Sequence, residues 1–528
     1  MPDAYLLLVI LLFALAAADL VVGVSNDAVN FLNSAIGSRV ARRRIIMIVA
    51  SLGIFIGAAS SGGMMEVARK GIFVPGQFYF DEIMVIFIAV MLTDIILLDL
   101  FNTFGMPTST TVSIVFELLG AAVAVALVKI AEAGSGAPGL EAFINSDNAR
   151  TIIEGIFMSV PISFAFGLVI MWISRLIFTF TKDPGRMQFL IIWAAAALTM
   201  MSYFLLVKGL NNASIPGIDV IVTWLREQPL LIVFGSLLAF WFVVTQFISL
   251  ALKANFLRFT VLFGTFSLAM AFAGNDLVNF IGVPIAGFQA FVLWKDSGAD
   301  PSAFPMTALE EKVPSANFIL LLAGAIMVIT LWISKKSRTV TKTEVTLGRQ
   351  RKGHERFTPG PVSKGIIWIS ISLFKTVSLV IPPGGKSWIN TRFSQEDGKS
   401  GQISEEDRPA FDLIRATVNL AVASVVISIA TLNKLPLSTT YVSFMVAMGA
   451  SLADRAWGQE SAPARVAGVV TVIGGWFMTA IIAFTVSGTF AFLVSKLGLW
   501  FVIVLALLAA LFIHRTFALH AKRESPDK

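Results

Sequence analysis

No cysteine occurs among the 528 residues, which excludes disulfides, thiolate metal sites and cysteine nucleophiles. Histidine is nearly as scarce. His354, His514 and His520 are the three present, and all lie in polar stretches, so a histidine-based metal or catalytic centre has no place in the apolar parts of the chain. No GxxxxGK[ST] run is present to suggest a nucleotide-driven pump. Charge is also short: 14% of residues are Asp, Glu, Lys or Arg, against about a quarter in soluble globular proteins.

What fills the chain instead is apolar. Hydrophobic residues make up 56% of it, and the mean hydropathy is +0.81. A helix needs roughly 20 apolar residues to cross the hydrocarbon core. Nine full spans are expected: 5–24 with an extension to about 36, 44–59, 151–180, 187–207, 229–252, 259–290, 313–334, 464–486 and 489–512. The first run, Tyr5 to Val24, has no basic residue before it and no cleavage pattern after it, so it reads as a membrane helix rather than a signal peptide. Two further apolar stretches, 82–130 and 409–455, are interrupted at Gly105-Met106-Pro107 and Leu435-Pro436. Proline removes a helical hydrogen bond and turns its predecessor out of the helical region, so both stretches are expected to be re-entrant hairpins. Stretch 366–381 is apolar without a helical stripe and is expected at the membrane interface or as one more span.

Loop charges orient this path. Arg39, Arg42, Arg43 and Arg44 follow the first span, and nine basic residues against two acidic ones lie between Lys335 and Lys364. The positive-inside rule places both on the cytoplasmic side of an inner membrane, with the N-terminus outside and the C-terminus inside. The basic insert 335–408 is read as such a loop; lipid headgroups are its natural neighbours, and no nucleic-acid partner is expected.

Two short elements then occur twice, in the same order. Asn26-Asp27-Ala28-Val29-Asn30 returns as Asn275-Asp276-Leu277-Val278-Asn279, and Pro107-Thr108-Ser109-Thr110-Thr111 returns as Pro436-Leu437-Ser438-Thr439-Thr440. The expected fold is therefore all-α and polytopic, with two inverted-topology repeats, broken helices and two re-entrant hairpins. Its divisions are 1–130 for repeat one, 131–258 for intervening spans, 259–455 for repeat two with its insert, and 456–528 for the last spans and a basic tail.

The residue types suggest the chemistry. A carboxylate at mid-membrane depth is expensive without a partner, and Asp27 and Asp276 both sit in apolar spans, each between two asparagines and after a glycine, Gly23 or Gly274. If the helices unwind there, carbonyls, the amide oxygens of Asn26 and Asn275 and the two carboxylates form a hard-oxygen cage for Na⁺ or a proton. A purely structural polar cluster between packed helices is the alternative. Ser109, Thr110 and Thr111, like Ser438, Thr439 and Thr440, open a helix directly after a proline. Free N–H groups, partial positive charge and hydroxyls there suit an anion, while simple N-capping is the alternative. Glu117 and Arg415, near the two hairpins, are candidates for gating or ion relay, although Arg415 can equally pair with Asp412.

With N-D-x-x-N early and P-x-S-T-T late in each half, the chain resembles the PiT inorganic phosphate transporter family. The resemblance implies phosphate import driven by Na⁺ or H⁺, no catalytic residues, no cofactor beyond the coupling ion, and a homodimer. Carried over, it places Asp27, Asn30, Asp276 and Asn279 at the phosphate and cation sites, with Na⁺ near Asp27 and Asp276. Thr110 and Thr439 then serve both ions, and Ser109, Thr111, Ser438 and Thr440 complete the surround of the anion. The extra residue between Gly23 and Asn26, and Val112 and Tyr441 where the family has histidine, bear on which cation is used. A sulfate or other oxyanion permease, or an anion channel of the same fold, are the rival expectations.

Overall fold

The computed structural model describes residues 2–61, 71–134, 138–180, 184–209, 218–310, 317–350, 357–380, 382–394, 408–433, 437–456 and 461–523. The second expected break, Leu435-Pro436, lies outside them, as do Arg351, Lys352, Arg356 and the acidic run 405–407 of the insert.

Among the described residues the chain is helical, with isolated single β-bridges and no strand. The first third holds α1 (Pro2–Asp27), α2 (Val29–Gly37), α3 (Arg43–Ser60), α4 (Phe80–Phe104), α5 (Thr110–Ala133) and α6 (Ser146–Ile177). The middle holds α7 (Met187–Tyr203), α8 (Ile218–Glu227), α9 (Leu230–Leu250), α10 (Phe256–Ser297), α11 (Asn317–Ile333) and α12 (Lys336–Gly348). The insert carries α13 (Pro361–Val380) and α14 (Pro383–Arg392), and the chain ends with α15 (Leu413–Leu432), α16 (Thr439–Ala453), α17 (Ala462–Leu497) and α18 (Phe501–Arg523).

Ten helices among the described residues are long and apolar enough to cross a membrane, α1 and α2 counting as one. Residues 366–380 of the apolar stretch form most of α13, which is not among the ten. Four other expectations shift. The arms of the first hairpin, 25 and 24 residues, are each long enough to cross unaided, about 36 Å at 1.5 Å per residue. Of the helices forming the two hairpins only α16, at 15 residues, is short. The spans expected at 464–486 and 489–512 are instead the 36-residue α17 and the separate α18, divided at Gly498 rather than near residue 487. The expected span 313–334 is α11, which bends by 71° into α12. And α10 runs unbroken for 42 residues through Asn275–Asn279.

Matched contacts organise the bundle: α1 lies on α4 as α10 lies on α15, and α5 lies on α17 as α16 lies on α6. Backbones in these pairs touch. A Cβ at Gly120 of α5 would sit 2.1 Å from the carbonyl oxygen of Phe484 on α17, so only glycine allows the approach. Helix association in lipid depends on such packing, because no water is released to drive it. Gly120→Leu is therefore expected to part α5 from α17, seen as loss of the monodisperse peak in detergent size-exclusion chromatography.

Candidate functional site

The first break is built by local chemistry. Gly105 ends α4 in the left-handed conformation (φ 62°), its N–H donates to the Asn102 carbonyl, and the Met106 N–H donates to Phe101. That double closure is the usual stop for a helix whose next residues include proline. Pro107 offers no N–H, so the tip's remaining polar backbone needs partners from elsewhere. Asn26 supplies them: its Nδ2 donates to the Met106 carbonyl at 3.1 Å and to Asn102 Oδ1 at 2.9 Å, and its Oδ1 accepts from the Thr108 N–H at 2.9 Å. Asn275 also reaches the second tip, donating to the Leu437 carbonyl at 3.0 Å and to Asp276 Oδ1 at 2.6 Å, while its Oδ1 accepts from Thr431 Oγ1 at 3.3 Å.

Ser109 and Ser438 cap the new helices, accepting from the N–H groups of Val112 (3.1 Å) and Tyr441 (3.0 Å). The capping alternative is thus realised for both serines, and their own O–H groups remain available to donate.

At the centre, the two tips and the two asparagine–aspartate segments interlock. Asp27 Oδ2 accepts from Thr110 Oγ1 at 3.0 Å and its Oδ1 from Thr440 Oγ1 at 3.2 Å. Asp276 Oδ1 accepts from Thr111 Oγ1 at 3.4 Å, and its Oδ2 accepts from Thr439. Each carboxylate is therefore held by one threonine from each tip. The second asparagines complete the exchange: Asn30 donates to Thr440 (3.0 Å) and Thr439 (3.3 Å), and Asn279 donates to Thr111 (3.0 Å) and Thr110 (3.2 Å). All eight of these residues are buried. The threonine contacts of the aspartates and of the second asparagines are two-fold, each repeated by its counterpart.

The profile of the phosphate transporter family matches residues 23–344, which contain Asp27, the whole first tip and Asp276. The chain belongs to that family. Its members are transporters rather than enzymes, and this phosphate transporter family member is a multi-pass membrane protein. It is 26% identical over 392 residues to a Pyrococcus furiosus protein provisionally named a phosphate permease, a match covering 72% of this chain and 86% of that one. In fold it is similar to a solved structure titled the sodium-dependent phosphate transporter: the TM-score is 0.63, the identity 16%, and the match covers 93% of this chain and 99% of the other.

In this family member the second asparagine–aspartate segment stays within one continuous helix, contrary to the expected unwinding, while the first is interrupted at Ala28, between α1 and α2. The Ala28 N–H donates to the Val24 carbonyl at 3.0 Å and Leu32 donates to Ala28 at 3.1 Å, so those carbonyls are already engaged. The glycine before the first motif has a packing role: a Cβ at Gly23 would fall 2.1 Å from the Phe280 ring of α10. Across Asn275–Asn279 the side chains find their partners on the tips, so unwinding is unnecessary there.

Glu117 lies outside the central group. It is buried two turns along α5, in the neighbourhood of the buried carboxyls of Asp19 and Asp94, the latter accepting from Ser113 Oγ at 2.5 Å. Arg415 is fully buried too, but its carboxylate is Asp454 (Nε to Oδ2, 3.3 Å). The Asp412 carboxylate accepts instead from the backbone N–H of Arg415 (2.9 Å) and from Arg175 Nη2 (2.9 Å). Arg175 also donates to Asp454 at 2.6 Å, so two arginines share one buried aspartate. Burial pushes the Asp454 carboxyl above its usual range in spite of both guanidiniums. Sequence reading missed Arg175, Asp454 and Asp19. The available signal was the same for the first and last: a charge in an otherwise apolar span implies a partner.

Proposed function

We propose that this chain imports inorganic phosphate by cation symport with alternating access, Na⁺ being the favoured coupling ion and H⁺ the other. One observation carries the proposal: each central aspartate is held by a threonine from both tips. Phosphate takes the hydroxyls of Thr110, Thr111, Thr439 and Thr440, the amides of Asn30 and Asn279, and the open N–H groups at the starts of α5 and α16 behind Ser109 and Ser438. The cations take the carboxylates of Asp27 and Asp276, offsetting the anion's charge. An anion bound between two carboxylates is repelled unless cations enter with it, and that makes binding of the two interdependent.

The matched contacts of α1 with α4 and of α10 with α15 support reading the two halves as inverted repeats that rock against each other. The family supports phosphate as the anion. The exposed apolar side chains of α9, Leu231, Phe240, Val243 and Phe247 among them, suit lipid or a second copy of the chain.

Uptake of labelled phosphate into proteoliposomes tests the proposal. Accumulation above equilibrium is expected with an inward Na⁺ or H⁺ gradient, and each net positive charge carried adds ~2.3 kcal/mol per 100 mV of inside-negative potential. Uptake that never exceeds equilibrium and does not saturate would instead mark a channel, and uptake indifferent to both gradients would rule out symport.

A further inference from the structure

A small cavity with polar side chains in its wall lies beyond the proposed site, one turn further along α2 from Asn30 and two turns along α16 from Thr440, at Ala447. Its lining includes Asn33 of α2, Glu344 and Gly348 of α12, Phe411, and Arg415 and Asn419 of α15. Helices α2 and α16 thus carry the anion-facing residues at one level and the cavity wall at the next.

Among the described residues, polar groups are left over in this wall. Arg415, stacked near the Phe411 ring (4.9 Å), donates through Nη1 to the Gly348 carbonyl at 2.6 Å, while its Nη2 has no hydrogen-bond partner. Glu344 accepts from the Asn33 amide through Oε1, and its Oε2 has no partner. Asn419 donates to Ser34 Oγ at 3.2 Å, and its Oδ1 has none. Arg415 and Glu344 are both almost wholly buried. Buried polar groups in native proteins are nearly always satisfied, so one free donor and two free acceptors around one cavity point to a ligand that accepts and donates together.

We propose that this cavity is a second station for the transported anion, between the tips and the basic-loop side, and that it selects a protonated oxyanion. Monohydrogen or dihydrogen phosphate fits: its anionic oxygens accept from Arg415, and its P–O–H donates to Glu344 Oε2 or Asn419 Oδ1. Sulfate at neutral pH has no proton to give and meets the Glu344 side chain without a hydrogen bond. The clear space here admits little more than a water molecule, so the anion enters when Asn33 and Glu344 part. The inference rests on the phosphate-import reading and adds to it the residues that set phosphate apart from sulfate.

The test is labelled-phosphate uptake by the full chain in proteoliposomes, with arsenate, sulfate and selenate as competitors. In the wild type arsenate is expected to compete at least ~100-fold better than sulfate, because a site built around a ligand's O–H rejects analogues lacking it. Glu344→Gln replaces an acceptor by a donor. It is expected to raise the phosphate KM and to lower the inhibitory sulfate concentration ~10-fold or more, while Glu344→Asp keeps the preference for phosphate. If Glu344→Gln assembles normally and leaves the phosphate-to-sulfate ratio unchanged, the cavity holds only structural water and the proposal fails. Should that variant not assemble, the wild type decides alone: sulfate competing as well as arsenate overturns the idea. A wild type that takes up no phosphate defeats the import reading first, and the second station with it.

Discussion

Asp27→Asn and Asp276→Asn, made singly, are each expected to reduce sodium- or proton-driven phosphate uptake by ~10²–10³-fold, while leaving the protein assembled. Asparagine matches aspartate in size, and its side-chain oxygen still accepts from one of the threonines that hold each carboxylate, Thr110 or Thr440 at position 27 and Thr111 or Thr439 at position 276. What the variants lose is charge. Without it a buried cation has one counter-charge instead of two, and the anion brings its own charge into the site unbalanced. Removing one partner from a buried charged set costs about 3–5 kcal/mol, which converts to the stated range at its lower end. Initial uptake rates in proteoliposomes, with thermal unfolding of the purified variants as control, give the reading. Wild-type rates in both variants would remove the aspartates from the site. The two-fold threonine contacts add a condition: the variants should resemble each other, since each aspartate is held by one threonine from each tip.

Arg175→Ala is expected to have the largest effect on stability, about 3–5 kcal/mol, because it leaves Asp454 short of a counter-charge in a buried setting. Arg175 lies on α6, Asp412 caps α15 and Asp454 follows α16, so the guanidinium ties three helices at one point. Burial already pushes the Asp454 carboxyl up against the pull of both arginines, so losing one leaves a single guanidinium, Arg415, to hold it. A strongly lowered melting temperature in detergent is the expected observation. Replacing all three buried charges with apolar groups, Arg175→Met and Arg415→Met with Asp454→Leu, should recover part of the loss, because then no lone charge is left buried. If the single variant melts like the wild type, the network is not the fastening described.

Much of the site is legible in the sequence. The paired N-D-x-x-N and P-x-S-T-T elements name all eight central residues, because costly polar side chains in apolar spans are conspicuous and duplication makes chance a poor account of them. Less legible is what each does. Ser109 reads equally as ligand or cap until Val112 N–H is seen 3.1 Å from its hydroxyl. Asn26 reads as part of a cation cage, yet its amide is engaged with Met106, Thr108 and Asn102, some eighty residues away in sequence. Helix continuity at Asn275–Asn279 departs from expectation for the same reason: propensity favours loosening there, and tertiary hydrogen bonds from the second tip make it unnecessary.

The sequence by itself determined the solvent, the class of fold and the chemistry on offer. Those follow from local rules: apolar length, proline breaks, and the expense of buried charge. Which threonine meets which aspartate, which carboxylate Arg415 faces, and the meeting of Asp19, Asp94 and Glu117 were decided only by tertiary structure. Composition and spacing are properties of one segment at a time. A hydrogen bond between residues hundreds of positions apart depends on how whole helices pack, and in a membrane that packing turns on close backbone contacts such as Gly120 against Phe484.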